Sequence, residues 1–185
     1  MTNILIINGH QKTPTAHGKL TRTLIQTMKE VLSQNKDIHI KVSTLQKGWD
    51  IKKEQAKFMW ADTIIYQYPI YWFHAPALLQ KYLQEVLEYG VFYGVPNMPY
   101  GKGGKLANKT YMLSTTWNSP LDAFGQGFWQ GIPSPDDALI AMHKAQQFIG
   151  LKPLPSFSCH NVIKNPEIQE YINGLKHHLR LVFLK

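Results

Sequence analysis

Short apolar segments with the character of strands recur along this sequence. Residues 4–7 form a continuous apolar run that ends at Asn8-Gly9, a pattern typical of a strand covered on both faces in a parallel sheet. Runs rich in β-branched and aromatic residues predict four further strands, at residues 38–42, 63–68, 109–115 and 155–159. Apolar and polar residues alternate over 38–42, so we expect this strand to lie half-exposed at an edge of the sheet.

Helical periodicity fills the segments between the strands. Apolar residues spaced for one helix face predict helices at residues 18–34 and 52–60, and a third that begins at Ala75-Pro76. A fourth helix is expected at 134–149, with Ser134 as its cap and Gly150 as its stop. The last helix begins at Asn165-Pro166, with a buried stripe predicted at Ile168, Tyr171, Ile172, Leu175, Leu179 and Val182.

Five strands that alternate with five helices predict an α/β fold. The sheet is expected to be doubly wound, five-stranded and parallel, with helices on both faces, because each right-handed crossover places a helix on one face. Ligands of such sheets bind at the carboxyl ends of the strands, where the strand order reverses. The loops after the first, third and fourth strands are therefore the candidate site.

The composition is that of one folded domain. With 185 residues, 44% of them hydrophobic and 17% charged, residues 1–185 are expected to form a single domain. The first apolar segment is too short for a signal peptide, and no run is long enough to span a membrane. We therefore expect a cytoplasmic protein with no stable membrane insertion. The single cysteine, Cys159, excludes a disulfide within the chain and a multi-thiolate metal site.

The formal net charge of +8 suits a phosphate-bearing ligand, a nucleic acid or an anionic lipid. Lysine and arginine are scattered and form no basic helix or arm, so we expect no nucleic-acid partner. The eight histidines include no pair spaced four residues apart, and we expect no metal site. His143 is interpreted as an ordinary surface histidine.

The loop after the first strand delivers the start of a helix to the carboxyl edge. Free backbone N–H groups and the helix dipole favour a phosphate there. Gly18 permits close approach of the backbone, and the hydroxyls of Thr21 and Thr23 can donate further hydrogen bonds. The spacing matches neither a Walker loop nor Gly-x-Gly-x-x-Gly. The alternative is a loop that only connects two elements.

An aromatic run, Tyr71-Trp72-Phe73, follows the third strand. It stands in a connection rather than on a helix face, and would form a wall for a flat apolar ligand such as an isoalloxazine ring. The segment after the fourth strand, Thr116-Trp117-Asn118-Ser119, would supply the opposite wall. The alternative is that the three rings fill the core or an oligomer interface.

A long glycine-rich loop at residues 89–108 is expected to be functional. A lone domain of this fold leaves one face of a bound ring open to water, and a second subunit could close that face. Surplus aromatic residues outside the strands are typical of interfaces, and here they are Tyr89, Phe92, Tyr93, Phe124, Phe128 and Trp129. We therefore predict a homodimer with the site at or near its interface.

Several motifs together carry a resemblance to a known family. They are Ile4-Leu5-Ile6-Ile7-Asn8-Gly9, Trp60-Ala61-Asp62, Ala75-Pro76, Tyr111-Met112-Leu113-Ser114 with Thr116-Trp117-Asn118, and His143-Lys144-Ala145 with Pro153-Leu154-Pro155. In combination, and over nearly the whole chain, they resemble the NAD(P)H:quinone oxidoreductases of the modulator of drug activity B type. The resemblance implies a flavodoxin-like fold, FAD as cofactor, NADPH or NADH as electron donor, and quinones as acceptors.

The resemblance also implies where the cofactor lies. The FAD diphosphate falls on Ala16, His17, Gly18, Lys19, Leu20, Thr21, Arg22 and Thr23. The isoalloxazine ring falls on Ile70, Tyr71, Trp72, Phe73, Thr116, Trp117, Asn118 and Ser119, with a further cofactor contact at Tyr100.

The catalytic residue is unknown from the sequence, because a flavin carries the redox chemistry itself. Tyr71 and His74 are candidates for a hydrogen bond to a quinone oxygen. Two alternatives stay open: an FMN-dependent azo or nitro reductase, and a nucleotide-sensing regulatory subunit of a membrane transporter.

Overall fold

The structure, a computed structural model, describes residues 1–184. Strands β1 to β6 are Thr2–Asn8, Ile38–Thr44, Thr63–Pro69, Thr110–Thr116, Lys152–Pro153 and Phe157–Cys159. Helices α1 to α6 are Lys19–Leu32, Ile51–Trp60, Ala77–Val86, Pro135–Ala138, Ile140–Phe148 and Ile168–Phe183. Two short 3-10 turns lie at Leu45–Lys47 and Leu121–Ala123.

The strands form one parallel sheet in the order β2-β1-β3-β4, with β5 and β6 both paired to β4 at the far edge. The predicted doubly wound α/β fold is confirmed, and β2 is an edge strand with alternating burial. The fifth sheet position is divided between two short strands instead of one at residues 155–159. Pro153 is the last residue of β5 and Pro155 lies between β5 and β6, and neither proline has an N–H group to donate to the ladder.

Helices cover both faces of the sheet. Ile4 and Ile6 of β1 belong to a core shared with α1 and α6, whereas Leu5 and Ile7 belong to a second core shared with α2, α3 and α5. All four side chains are fully buried. The continuous apolar run therefore serves two cores at once, as expected of a central parallel strand.

Two predicted helices differ from their observed form. The helix predicted at 134–149 is interrupted at Leu139, whose N–H is shared between the carbonyls of Pro135 and Asp136. This tightened turn ends α4 before α5 begins. In α6, Leu175 and Leu179 are buried against α1, but Ile168 is 42% exposed, because the first turn lies outside that contact.

Candidate functional site

A cavity of about 780 Å³ opens at the carboxyl edge of the sheet. It lies between the loop after β1, the turn after β3 and the end of β4. Its lining comprises His10, Thr13, Thr15, Ala16, His17, Gly18, Lys19, Leu20, Thr21, Pro69, Ile70, Tyr71, Trp72, Thr116, Asn118, Val162 and Ile163. Eleven of the seventeen residues predicted to bind a cofactor are therefore brought together at one place.

The start of α1 forms the polar end of this cavity. Gly18 precedes the helix with φ of 71°, a left-handed conformation that favours glycine. No side chain caps the helix and its first turn contains no acidic residue. The first backbone bond of the helix runs from the N–H of Arg22 to the carbonyl of Gly18, so the N–H groups of Lys19, Leu20 and Thr21 have no partner within the helix, and these three residues border the cavity. Free N–H groups at a helix start, together with the helix dipole, favour an anion.

The loop that precedes Gly18 is held by its own hydrogen bonds. The N–H of Ala16 donates to Oγ1 of Thr13 at 3.0 Å, and the N–H of Thr13 donates to the carbonyl of Ala16 at 3.1 Å. The guanidinium of Arg22 donates to the carbonyl of His17 at 2.9 Å. Arg22 therefore fixes the loop, and it borders a neighbouring cavity rather than the main one.

His10 is a site residue that the sequence predictions missed. Its side chain is 8% exposed, and neither ring nitrogen forms a hydrogen bond of normal geometry within residues 1–184. The ring lies directly against Gly18, since a Cβ added there would approach Cδ2 of His10 to 2.5 Å. Position 10 carried no sequence signal because its proximity to Gly18 depends on the course of the loop between them.

A strained aromatic turn forms the second wall of the cavity. Tyr71 and His74 exchange two backbone hydrogen bonds, at 2.9 and 3.1 Å. Between them Trp72 and Phe73 have φ of 48° and 66°, which bulky residues rarely adopt and which costs about 1–3 kcal/mol each. Trp72 is nevertheless 88% exposed. The strained turn therefore holds an exposed aromatic ring at the cavity.

The end of β4 forms the third side. The N–H of Ile70 donates to the carbonyl of Thr116 at 2.9 Å, which joins the aromatic turn to this strand. Thr116 and Asn118 border the cavity, and Val162 and Ile163 lie there as well. Ile163 is 75% exposed, so it adds accessible apolar surface to the cavity lining.

The structure does not place Trp117 in the cavity. Its indole is 1% exposed, donates to Oγ1 of Thr115 at 2.8 Å and packs against Phe124 and Trp129. Side chains of adjacent residues along a strand point to opposite faces. Because Thr116 and Asn118 border the cavity, the side chain of Trp117 between them points into the core.

Other predicted residues lie near the cavity without lining it. The hydroxyl of Thr23 donates to the carbonyl of Lys19 at 3.2 Å. Ser119 accepts a hydrogen bond from the Trp129 indole at 3.0 Å. Phe73 turns away from the cavity to pack on Phe128 and Trp129, at ring distances of 5.3 and 5.4 Å.

Tyr100 lies at the opposite edge of the sheet. The segment that carries it connects α3 to the amino end of β4, and its ring contacts Phe148 at the end of α5. Within one chain it cannot reach the cavity at the carboxyl edge. Its side chain is 96% exposed.

The two candidates for a hydrogen bond to a quinone are differently placed. The hydroxyl of Tyr71 donates to the carbonyl of Gln11 at 2.9 Å, so its proton is already engaged, and burial raises its pKa. His74 is exposed and lies outside the cavity lining.

A second cavity, of about 410 Å³, adjoins the first. It shares His10, His17 and Gly18 with the main cavity and adds Asn8, Lys12, Arg22, Thr44 and Gln46. The two linings together contain lysine, arginine and histidine but no aspartate or glutamate. The joined cavities therefore favour an anionic ligand.

The interpretation of His143 as a surface residue is wrong. It is 9% exposed, its Nδ1 lies 2.7 Å from the hydroxyl of Tyr111, and its Nε2 lies 3.2 Å from a carboxylate oxygen of Asp136. This group ties α4 and α5 to β4, away from the cavity.

Within residues 1–184, no group of three or more His, Cys, Asp or Glu side chains is arranged to hold a metal ion. In the same part of the chain, no helix has both the length and the apolar character needed to cross a bilayer.

The chain belongs to the protein family described as having a flavodoxin-like fold, whose profile matches residues 2–179. It is 36% identical to the NADPH:quinone oxidoreductase MdaB of Haemophilus influenzae, over 98% of this chain and 99% of that protein. An uncharacterized protein of Schizosaccharomyces pombe is 39% identical, over 97% of this chain and 96% of the relative. The resemblance predicted from the sequence motifs is confirmed.

The fold also matches a solved structure. The crystal structure of general stress protein 14 from Treponema denticola, in complex with FMN, superposes with a TM-score of 0.71 at 24% identity. The match covers 98% of this chain and 97% of that one.

Proposed function

We propose that this protein is a flavin-dependent NAD(P)H:quinone oxidoreductase with FAD as its cofactor. One observation carries the proposal: a single acid-free cavity joins an uncapped helix start to an exposed, strained aromatic turn. An anionic chain attached to a flat ring system fits such a cavity. Similarity over nearly the full length to a relative named as a quinone oxidoreductase supports it.

The polar end fits the phosphate of a flavin. The uncapped N–H groups of α1 lie beside Gly18. A side chain at this position would occupy the space through which a phosphate reaches the backbone. Lys19 and Thr21 in the cavity lining add a positive charge and a hydroxyl donor. These are the groups that bind phosphates at helix starts.

The apolar end fits the ring system. Ile70 and Trp72 on one side and Ile163 on the other offer apolar surface. The amide of Asn118 offers a donor and an acceptor to the polar edge of the ring. The hydroxyl of Tyr71 already donates a hydrogen bond to the backbone carbonyl of Gln11. Its role is therefore to fix the turn rather than to protonate a substrate.

The second cavity favours FAD over FMN. FMN ends at one phosphate, whereas FAD continues into a second phosphate and an adenosine. Beyond Gly18 the second cavity continues with Lys12, Arg22 and Gln46, which suit a second phosphate and a nucleoside. FMN remains the competing cofactor, since the structurally similar Treponema denticola protein was solved with it.

When bound, a flavin would supply the redox chemistry, in which the hydride of a nicotinamide and one proton from solvent together convert a quinone into a hydroquinone. The chain binds the phosphate at α1, orients the ring against Trp72 and leaves the opening beside Ile163 for the two substrates. Both substrates would use the same opening in turn.

We further propose that the single domain acts as a homodimer. A cofactor contact from Tyr100, as implied by the family resemblance, requires a second copy, because Tyr100 lies at the far edge of its own sheet. Such a contact would bring Tyr100 of one copy to the cavity of the other, and aromatic residues are exposed at both places. Beside the cavity they include Trp72 and Phe128. Phe92, Phe124 and Trp129, also predicted for the interface, are buried in the chain's own core.

The test is to release the cofactor by denaturation, identify it by mass spectrometry, and assay NADPH oxidation with a benzoquinone. FAD and quinone-dependent turnover are expected. FMN would overturn the choice of cofactor. A flavin-free protein that binds nucleotides without turnover would favour a regulatory subunit, and turnover with azo or nitro compounds alone would favour the other reductase class.

A further inference from the structure

His10 is a buried histidine at the site proposed for the flavin phosphate. Both ring nitrogens are shielded from solvent and form no hydrogen bond of normal geometry within residues 1–184. The side chain borders both cavities and packs against Gly18, the residue before α1. Buried polar groups are normally satisfied, so an unsatisfied one beside a ligand site indicates a role that depends on the ligand.

The surroundings of His10 are cationic. Its own loop contributes Lys12 and His17, and α1 contributes Lys19 and Arg22. The turn after β3 contributes the Tyr71 ring, 6.4 Å away, and the segment after β2 contributes only the neutral Thr44 and Gln46. No carboxylate faces the ring from these elements.

Without a ligand, this environment disfavours the protonated form of the ring. Burial lowers the pKa of His10 below its ordinary value of 6.5; a backbone contact at Ala16 opposes the shift, and the charges of Arg22 and His17 add to it. An anion within a few ångströms acts in the opposite direction, because it stabilises the imidazolium.

We propose that His10 takes up a proton when the flavin phosphate binds beside Gly18, so that cofactor affinity is coupled to pH. The inference rests on the proposed function, since it needs a phosphate at the start of α1. Its sign follows from linkage: a group that gains a proton on binding strengthens binding as the pH falls. The flavin dissociation constant therefore rises with pH, by up to about tenfold per unit.

The experiment is calorimetric titration of FAD into the full chain after removal of its flavin. Measurement near pH 7 in two buffers of different ionisation enthalpy counts the protons taken up per FAD bound. FAD is chosen because the FMN phosphate changes its own protonation near neutral pH. Riboflavin, which lacks the phosphate, serves as the ligand control.

The variant His10→Gln removes the titrating ring, and His39→Gln is the control, since His39 is an exposed histidine of the edge strand β2 and borders neither cavity. Proton uptake is expected with FAD in the wild type and His39→Gln, and is expected to be lost in His10→Gln and with riboflavin. Should His10→Gln fold poorly, the His10 ring can be titrated by NMR in the wild type with and without FAD.

Three results would overturn the inference. FAD binding without proton uptake in the wild type contradicts the coupling, and uptake that persists in His10→Gln contradicts the assignment to His10. Absence of any flavin binding would contradict the proposed function as well as the inference. Flavin binding without proton uptake would contradict the inference alone, so the two failures can be told apart.

Discussion

The backbone N–H of Ile70 donates to the carbonyl of Thr116 at 2.9 Å, just past the last rungs of the β3–β4 ladder. This bond makes the aromatic turn a continuation of the sheet rather than a free loop. The two walls of the cavity therefore hold their spacing without a ligand, and changes at the site are expected to alter binding more than folding.

Gly18→Val tests the phosphate end. The variant forces a branched side chain into a left-handed position against His10, so flavin affinity is expected to fall at least tenfold and stability by about 1–3 kcal/mol. Gly48→Val is a control for strain at a positive φ alone, because Gly48 has φ of 78° with open space around it and borders neither cavity. Equal flavin affinity in the two variants, measured by fluorescence titration, would contradict the phosphate assignment.

Trp117→Ala tests the placement of the buried indole. Since Trp117 packs in the core, its loss should cost about 3–5 kcal/mol in urea unfolding, while the folded fraction keeps its flavin. Trp72→Ala is the comparison variant, because the Trp72 ring is exposed. It is expected to lose little stability but to retain flavin more weakly. The opposite pattern would show that the indole of Trp117 meets the ligand.

Asp136→Asn tests the contact with His143. The imidazole of His143, whose Nε2 lies 3.2 Å from a carboxylate oxygen of Asp136, lowers the pKa of Asp136 below its ordinary value of 3.8. The resulting stabilisation is present above pH 3.8 and is lost as the pH falls through the lowered pKa. At neutral pH a loss of about 0.2–1 kcal/mol is expected, since Asp136 is exposed. Urea unfolding between pH 3 and 7 should show the difference from the wild type shrink in acid.

Tyr100→Ser tests the second copy. Because Tyr100 is 96% exposed, the variant should fold normally, yet flavin affinity and quinone reduction should fall if a partner's Tyr100 covers the cavity. Phe128→Asp should weaken the dimer, as seen by light scattering. Trp129 is unsuitable for this purpose, because it is buried. Fully active wild-type monomers at assay concentration would contradict the dimer.

Local patterns predicted most of the fold. The apolar run of β1, the alternation of β2 and the glycine before α1 each depend on nearest neighbours in sequence, and each appears as expected. The divided fifth strand and the break at Leu139 were missed because both depend on how the chain packs on β4. Propensity along the chain does not carry that information.

The site was predicted at the level of segments rather than side chains. Residues 16–21, Ile70 and Tyr71 line the cavity because whole loops meet at one sheet edge. Trp117 and His10 were misjudged because burial at a strand end depends on which face a residue takes, and proximity to Gly18 depends on loop closure. The strand order along the sequence already places Tyr100 opposite the site, because residues 89–108 lead into the amino end of the fourth strand whereas the candidate loops follow carboxyl ends.

The most direct test of the account is an anaerobic single-turnover titration of the protein as purified. We predict a visible flavin absorption band that one equivalent of NADPH bleaches and one equivalent of a benzoquinone restores. A protein without that band, or with a band that NADPH leaves unchanged, would contradict the proposal that this cavity holds a flavin for quinone reduction.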